Sequence, residues 1–300
     1  MTRIGFLACA DTLPSGETRR EDAFEHDLKV GALRPAFAAA GLTLVEIDWR
    51  APLERFDDIA LVLLGTAWDY QDYTQEFLER LDALDSRGIE VCNSPDVVRW
   101  NANKRYLAEL ANYGALIVPT LWLEDVDRAG LQNAMRAFDT DRIVVKRQVG
   151  AGALGQHSFT DATLPTEHWS MGCACMVQPF IPSIVDEGEY SFVFIDGVFS
   201  HGVLKRAGEG DYRIQSLYGG FECNYVPGQQ DLVKAEAVVS ALPFDQPLYC
   251  RIDMVRLPSG ELAVMEAEMI EPYLYPVQGP ELGEKMALAI LKRLRTQVHR

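Results

Sequence analysis

Residues 251–268, RIDMVRLPSGELAVMEAE, decide how this chain is read. RIDMVRL (251–257) has the composition of a strand, PSGE (258–261) supplies a tight turn, and LAVMEAE (262–268) is the return strand. Antiparallel register about Ser259-Gly260 sets Asp253 opposite Glu266 and Arg251 opposite Glu268. Alternation with period 2 then puts Glu266 and Glu268 on the same side. Directly opposed side chains lie ~5 Å apart at Cβ, where like charges repel. Three acids at that spacing call for a cation, and hard carboxylate oxygens suit Mg²⁺. The hairpin therefore points to a site for nucleotide phosphates.

Upstream, basic and glycine residues suit such a site. Lys146 ends the strand DRIVVKRQ (141–148), where burial disfavours its ammonium unless an anion is near. The plain alternative is a lysine reaching out to water at a strand end. Gly150, Gly152 and Gly155 follow within six residues and let backbone N–H groups approach an anion closely. GAGALG also fits the dinucleotide pattern GxGxxG, which requires a strand before it and a helix on it. QHSFTDATLPT (156–166) has no helical apolar period, which argues against that reading. Lys104 lies on a helix, NANKRYLAELANYG (101–114), and alone would pass as a surface residue. Arg206, Arg213 and Arg251 fall in strand-rich segments near the hairpin, where ordinary salt bridges are the alternative. Gln178-Pro-Phe180-Ile181 ends a strand with an apolar tip that suits a purine edge, or is simply a strand end.

The first hundred residues read differently. RIGFLAC (3–9), LTLVEIDW (42–49) and DIALVLLG (58–65) are apolar strands separated by helical stretches (22–41 and about 71–86), followed by a short strand (88–93). That pattern predicts βαβ units and a parallel sheet. Ser94-Pro95 opens a helix. Trp68, Asp69 and Tyr70 follow the third strand and are candidate substrate contacts, because open α/β sheets bind ligands at strand C-termini. From residue 101 the texture becomes α+β, with mainly antiparallel strands beyond Cys173 and a terminal helix over about 281–298.

Composition sets the outer limits. The 300 residues are 48% hydrophobic and 24% charged, with a net charge of −16, which argues against nucleic acid or an anionic membrane as partner. The six cysteines (9, 92, 173, 175, 223 and 250) show no metal-type spacing and read as reduced thiols. With no export leader evident, a cytoplasmic location is expected.

Taken in order, Lys104, Lys146, the glycine loop, the QPFI hinge, the acids Glu187 and Glu189, the arginines and the Asp…Glu-x-acid hairpin resemble the ATP-grasp superfamily. The resemblance covers most of the chain. It implies a parallel pre-ATP-grasp domain (1–100) on the substrate side, a small lid subdomain (101–181), and a C-terminal subdomain (182–300) with a largely antiparallel sheet and the metal site. Lys104 and Lys146 would contact ATP, Gln178, Phe180 and Ile181 would line adenine, and Glu189, with Glu187 nearby, would hold ribose. Arg213 would face the transferred phosphate, with Arg251, Arg206 and Lys146 neutralising charge. Asp253, Glu266 and Glu268 would carry Mg²⁺. Most ATP-grasp ligases have Asn at the last of these positions, so Glu268 adds a charge.

CADTLPSG (9–16), AWDYQ (67–71) and MEAEMIEPYLYP (265–276) further resemble glutathione-synthetase-like proteins, and among them the ring-closing ligases of D-cycloserine biosynthesis. Where such proteins carry Arg-Ser-Thr-Trp-Asp-Tyr, this chain has Gly65-Thr-Ala-Trp-Asp-Tyr70. The resemblance implies ATP and Mg²⁺ as cofactors and an amino-acid-like substrate whose carboxylate is activated as an acyl phosphate. A nitrogen then forms an amide, either within one molecule (O-ureido-D-serine to D-cycloserine) or between two, as in peptide synthesis. An ATP-binding protein without ligase activity is the alternative from another class. His157, beside the glycine loop, would sense phosphate if it takes part. A homo-oligomer is expected.

Overall fold

The computed structural model describes residues 1–150, 155–208 and 219–297. Apolar runs separated by helices become the strands of a parallel sheet, as the sequence predicts. These are β1 (Thr2–Ala8), β2 (Leu42–Asp48), β3 (Ile59–Thr66) and β4 (Glu90–Cys92), in the order β2-β1-β3-β4. Helices α1 (Phe24–Ala39) and α2 (Thr74–Ser86) cross between them. Trp49, Phe56, Phe77 and Leu81 fill the layer under α2.

The next stretch departs from a single helix over 101–114. Ser94 caps α3 (Pro95–Asn101), the chain turns at 102–105, and α4 (Tyr106–Asn112) follows. Then come β5 (Leu121–Leu123), α5 (Arg128–Phe138), β6 (Arg142–Arg147), β7 (His157–Thr160) and β8 (Cys175–Pro179). The four strands form an antiparallel sheet in the order β5-β8-β6-β7.

The last region carries α6 (Ser183–Asp186), β9 (Glu189–Ile195), β10 (Val198–Arg206), β11 (Phe221–Tyr225), α7 (Gln229–Ser240), β12 (Tyr249–Arg256), β13 (Leu262–Glu268) and α8 (Leu282–Gln297). Its antiparallel sheet runs β11-β10-β9-β12-β13. The sequence reading passed over α7, whose Ala235, Val238 and Val239 bury against Phe192 and Ile252. The stretch 211–220, expected to be a strand, lies largely outside the described residues.

Two features tie the regions together. Tyr249, Leu274, Leu282 and Met286 enter one core with Phe6, Phe37 and Leu61, so α8 closes the N-terminal sheet alongside α1. Asn93 donates to the carbonyls of Tyr249 (2.8 Å) and Met269 (2.7 Å) and accepts from Leu248 N–H (2.7 Å). Among the described residues no helix is long and apolar enough to cross a membrane.

Candidate active site

Asp253 pairs with Glu266 and Arg251 with Glu268, the register expected from the sequence. Near the turn the pairing runs one residue differently, Val255 against Ala263 and Arg256 against Leu262. A bulge after Asp253 admits Met265 as the extra residue and restores the expected register at the acids. Gly260, at φ 87°, takes the left-handed turn position that a side chain would strain.

β13 is an edge strand, and the chain covers that edge rather than leaving it open. Asn101 donates to Ala267 O at 2.7 Å and accepts from Met269 N–H at 2.9 Å, while the Tyr106 hydroxyl accepts from Ala267 N–H at 2.9 Å. Val118 and Leu116 continue the cover through backbone bonds to Val264. Asn101 and Tyr106 thus bracket the turn that holds Lys104 and set its ammonium against Glu266. The Lys104 backbone N–H donates to Gln148 O at 2.8 Å, and the buried Gln148 amide donates to Cys175 O at 2.9 Å. Strand β6 and the turn are therefore one assembly, which places Lys146 near Lys104.

The acids share a face, but each turns to a basic partner. Asp253, 2% exposed, accepts from Arg251 Nη2 (2.9 Å) and Ser191 and lies 3.2 Å from Lys205 Nζ. Lys205 also pairs with Glu189, and Arg251 with Glu268. Burial alone would raise the Asp253 carboxyl, but Arg251 and Lys205 outweigh it and hold it well below the carboxylate range. Glu268 is pushed up to about 7 by burial, reinforced by Glu266 and Asp253 against the pull of Arg251. Burial likewise raises Glu189 to about 7, opposed by Lys205. The Lys146 ammonium makes no hydrogen bond or ion pair to a described residue, its backbone lying in the β6–β8 ladder opposite Met176. Burial lowers its ammonium, with Glu266 and Glu189 pulling it back up.

Among the described residues no three His, Cys, Asp or Glu side chains converge as a ready metal cage. The donor chemistry nevertheless fits a hard divalent ion. Asp253, Glu266 and Glu268 offer only oxygens from adjoining strands, and their mutual repulsion at Glu268 is what such an ion would relieve.

The remaining predicted residues are distributed as follows. Gln178 is buried on β8 and donates to Thr120 Oγ1 at 2.9 Å. Phe180 carries the Arg142 guanidinium 3.6 Å from its ring centroid, and half-buried Ile181 packs beside it in a small cluster with Val118 and Val255. Glu187 accepts from Tyr190 (2.7 Å) and Arg256 (3.0 Å) at the outer end of the same sheet. Arg206 is exposed at the end of β10, apart from the ion pairs that its neighbour Lys205 makes. Gly150 and Gly155 both have positive φ, 152° and 70°, at the two ends of the glycine loop. Gly152 and Arg213 lie outside the described residues. His157 stacks on Phe159, ring centroids 5.8 Å apart.

On the N-terminal side, Trp68 is half-buried and donates to Glu271 O at 3.3 Å. Asp69 accepts from Trp49 Nε1 (2.7 Å) and pairs with Arg50, and Tyr70 is buried. Lys205 and Glu271 were not singled out from the sequence. Glu271 follows the hairpin by three residues, and burial pushes its carboxyl up to about 8, with Glu268 adding to the effect. Its signal was present in MEAEMIEPYLYP, a third acid in a run otherwise apolar.

With that geometry in place, comparisons with known proteins are informative. Residues 4–93 match the family model described as the N-terminal domain of D-cycloserine synthetase DcsG. The cycloserine biosynthesis protein DcsG of Streptomyces lavendulae is 27% identical over 287 residues, 90% of this chain and 95% of that protein. A crystal structure of D-cycloserine synthetase DcsG superposes with a TM-score of 0.81 at 24% identity, over 97% of this chain and 99% of that one. The ATP-grasp ligase PsnB, solved with a precursor variant, Mg and ADP, superposes with a TM-score of 0.66 at 16% identity, over 98% and 99%.

Proposed function

We propose, from the premise that this chain is an ATP-grasp protein with a DcsG-type N-terminal domain, that it is an ATP-dependent carboxylate–amine ligase. The observation that carries this reading is the convergence of Lys104, Lys146, Lys205 and Arg251 on the face bearing Asp253, Glu266 and Glu268. That arrangement supplies what phosphoryl transfer to a carboxylate requires: cations around the phosphates and hard oxygens for the metal. A bound Mg²⁺ would neutralise phosphate charge, and Asp253, Glu266 and Glu268 would hold it. Lys146 and Lys104 bind and orient the phosphates, and Arg251 stabilises charge that develops on the transferred group. The β5-β8-β6-β7 sheet, closing over ATP, would keep water from the acyl phosphate.

The finer reading is ring closure of O-ureido-D-serine to D-cycloserine. The DcsG resemblance at both sequence and fold level supports it. Intramolecular attack by the oxygen-bound nitrogen on the acyl phosphate expels phosphate and gains effective concentration; water then removes the carbamoyl group as CO2 and ammonia, so no second organic substrate is needed. The test is ADP release with O-ureido-D-serine as sole organic substrate, with the product mass read in parallel. A product formed only when a separate amine is added would replace ring closure with intermolecular ligation. ADP release from no amino acid tried would return the chain to an ATP-binding role.

Glu266→Gln and Asp253→Asn are expected to lower substrate-dependent ADP release at least ~100-fold while the fold survives. Unchanged turnover in both would remove the metal assignment.

A further inference from the structure

Beyond the phosphate end of the cleft, the N-terminal sheet presents a second polar constellation. In the order β2-β1-β3-β4 the chain reverses direction between β1 and β3, where open parallel sheets hold ligands. The loop after β1 and the turn after β3 frame that crevice. Within it the Arg20 guanidinium lies 5.0 Å from the Trp68 ring centroid and is held by Asp22 through Nε and Nη2, the latter at 3.0 Å. The Arg20 backbone N–H donates to Asp11 O at 3.0 Å, which fixes the two residues side by side. Against the cost of burial, Asp22 and then Asp11 raise the guanidinium above its ordinary value.

Among the described residues Asp11 Oδ1 is buried and accepts no hydrogen bond, with the Cys9 thiol beside the carboxylate. An orphan acceptor of this kind costs ~1–3 kcal/mol, which a donor on a bound molecule would relieve. This constellation adjoins the acidic hairpin: Trp68 Nε1 donates to Glu271 O at 3.3 Å, three residues past Glu268. Gln71 Oε1 lies 4.0 Å from where a Cβ on Gly150 would stand, at the rim of the glycine loop.

An acceptor beside a guanidinium discriminates among polar groups. A bare ammonium would meet the Arg20 charge, and a carboxylate would meet Asp11. A planar amide presents a donor and an acceptor along one edge and satisfies both. We propose that Asp11 and Arg20 are specificity residues for a carboxamide or ureido group at the end of the substrate remote from the reacting carboxylate. Asp11 accepts from its N–H, and Arg20 donates to its C=O. This assignment rests on the ligase reading above.

The experiment compares wild type with Asp11→Asn on O-ureido-D-serine and on O-amino-D-serine, which lacks the carbamoyl group. Thermal shift with ATP–Mg²⁺ monitors the fold. The expected result is that the ratio of kcat/KM for the two compounds falls at least tenfold in the variant, through KM, with the ATP–Mg²⁺ shift retained. A ratio that does not change, or an equal loss on both compounds, overturns the assignment. If Asp11→Asn fails to fold, Arg20→Gln at a half-exposed position is read in the same way. A wild type that binds ATP–Mg²⁺ and uses neither compound overturns the ring-closure reading itself, and is recognised without any variant.

Discussion

Lys205 holds two buried carboxylates at once, Glu189 and Asp253, and its removal should be felt more in the fold than in any single contact. Lys205→Met is expected to cost about 3–5 kcal/mol, because it leaves Glu189 buried without its ion-pair partner while Asp253 keeps Arg251; urea unfolding at neutral pH checks this. Glu271 gives a second prediction at this scale. Its folded-state pKa is raised to about 8, so the native protein binds more protons than the unfolded chain between the ordinary glutamate value and pH 8. Its contribution to stability is complete at low pH and is lost as pH rises through 8. Glu271→Gln should therefore gain at least ~1 kcal/mol on wild type between pH 5 and pH 8, read from unfolding midpoints at each pH. The acids of the hairpin were legible in the sequence because a turn and a two-residue period define them. Lys205 was not, for a physical reason. A plain hairpin about Asp196-Gly197 opposes Glu189 to Leu204, and a bulge between Phe199 and His201 shifts the register so that Glu189 meets Lys205.

At the scale of elements, β3 carries a packing signature of its own. A Cβ on Gly65 would stand 2.2 Å from the Phe6 ring, which occupies the space a side chain there would need. The glycine that stands where the pattern noted in the sequence carries arginine is thus matched by a bulky neighbour on β1. Gly65→Ala is expected to destabilise by about 1–3 kcal/mol through overpacking. Combination with Phe6→Leu should recover part of that loss, and a double-mutant cycle in denaturant measures the coupling. The parallel order of the N-terminal strands followed from apolar runs alternating with helices. The break between α3 and α4 did not, because it depends on Asn101 and Tyr106 capping a strand edge 160 residues away, a tertiary demand that overrides local helix propensity.

Across the whole molecule, one lysine joins the N-terminal sheet to the hairpin side. Lys29 on α1 is buried and donates to Gly65 O at 2.9 Å and to Pro272 O at 2.7 Å. It stands where β3 ends and where the chain leaves the acidic hairpin, so it fixes Trp68 and Glu271 relative to each other. Lys29→Met would orphan both carbonyls at ~1–3 kcal/mol each. Thermal unfolding should show the loss, and a rise in KM for the amino-acid substrate larger than that for ATP would show that the two sides had lost their alignment.

The ion pairs of the resting cleft have a further consequence. Lys104 and Arg251 each hold one oxygen of the acids proposed to carry a divalent ion, so an ion bound there would compete with those pairs and loosen them. Once displaced, they become free to grip a polyphosphate, which in turn keeps them from returning. Nucleotide and ion must then strengthen each other reciprocally, by the same factor in either order. Calorimetry should find Mg²⁺ binding about tenfold or more tighter in the presence of a non-hydrolysable ATP analogue than in its absence.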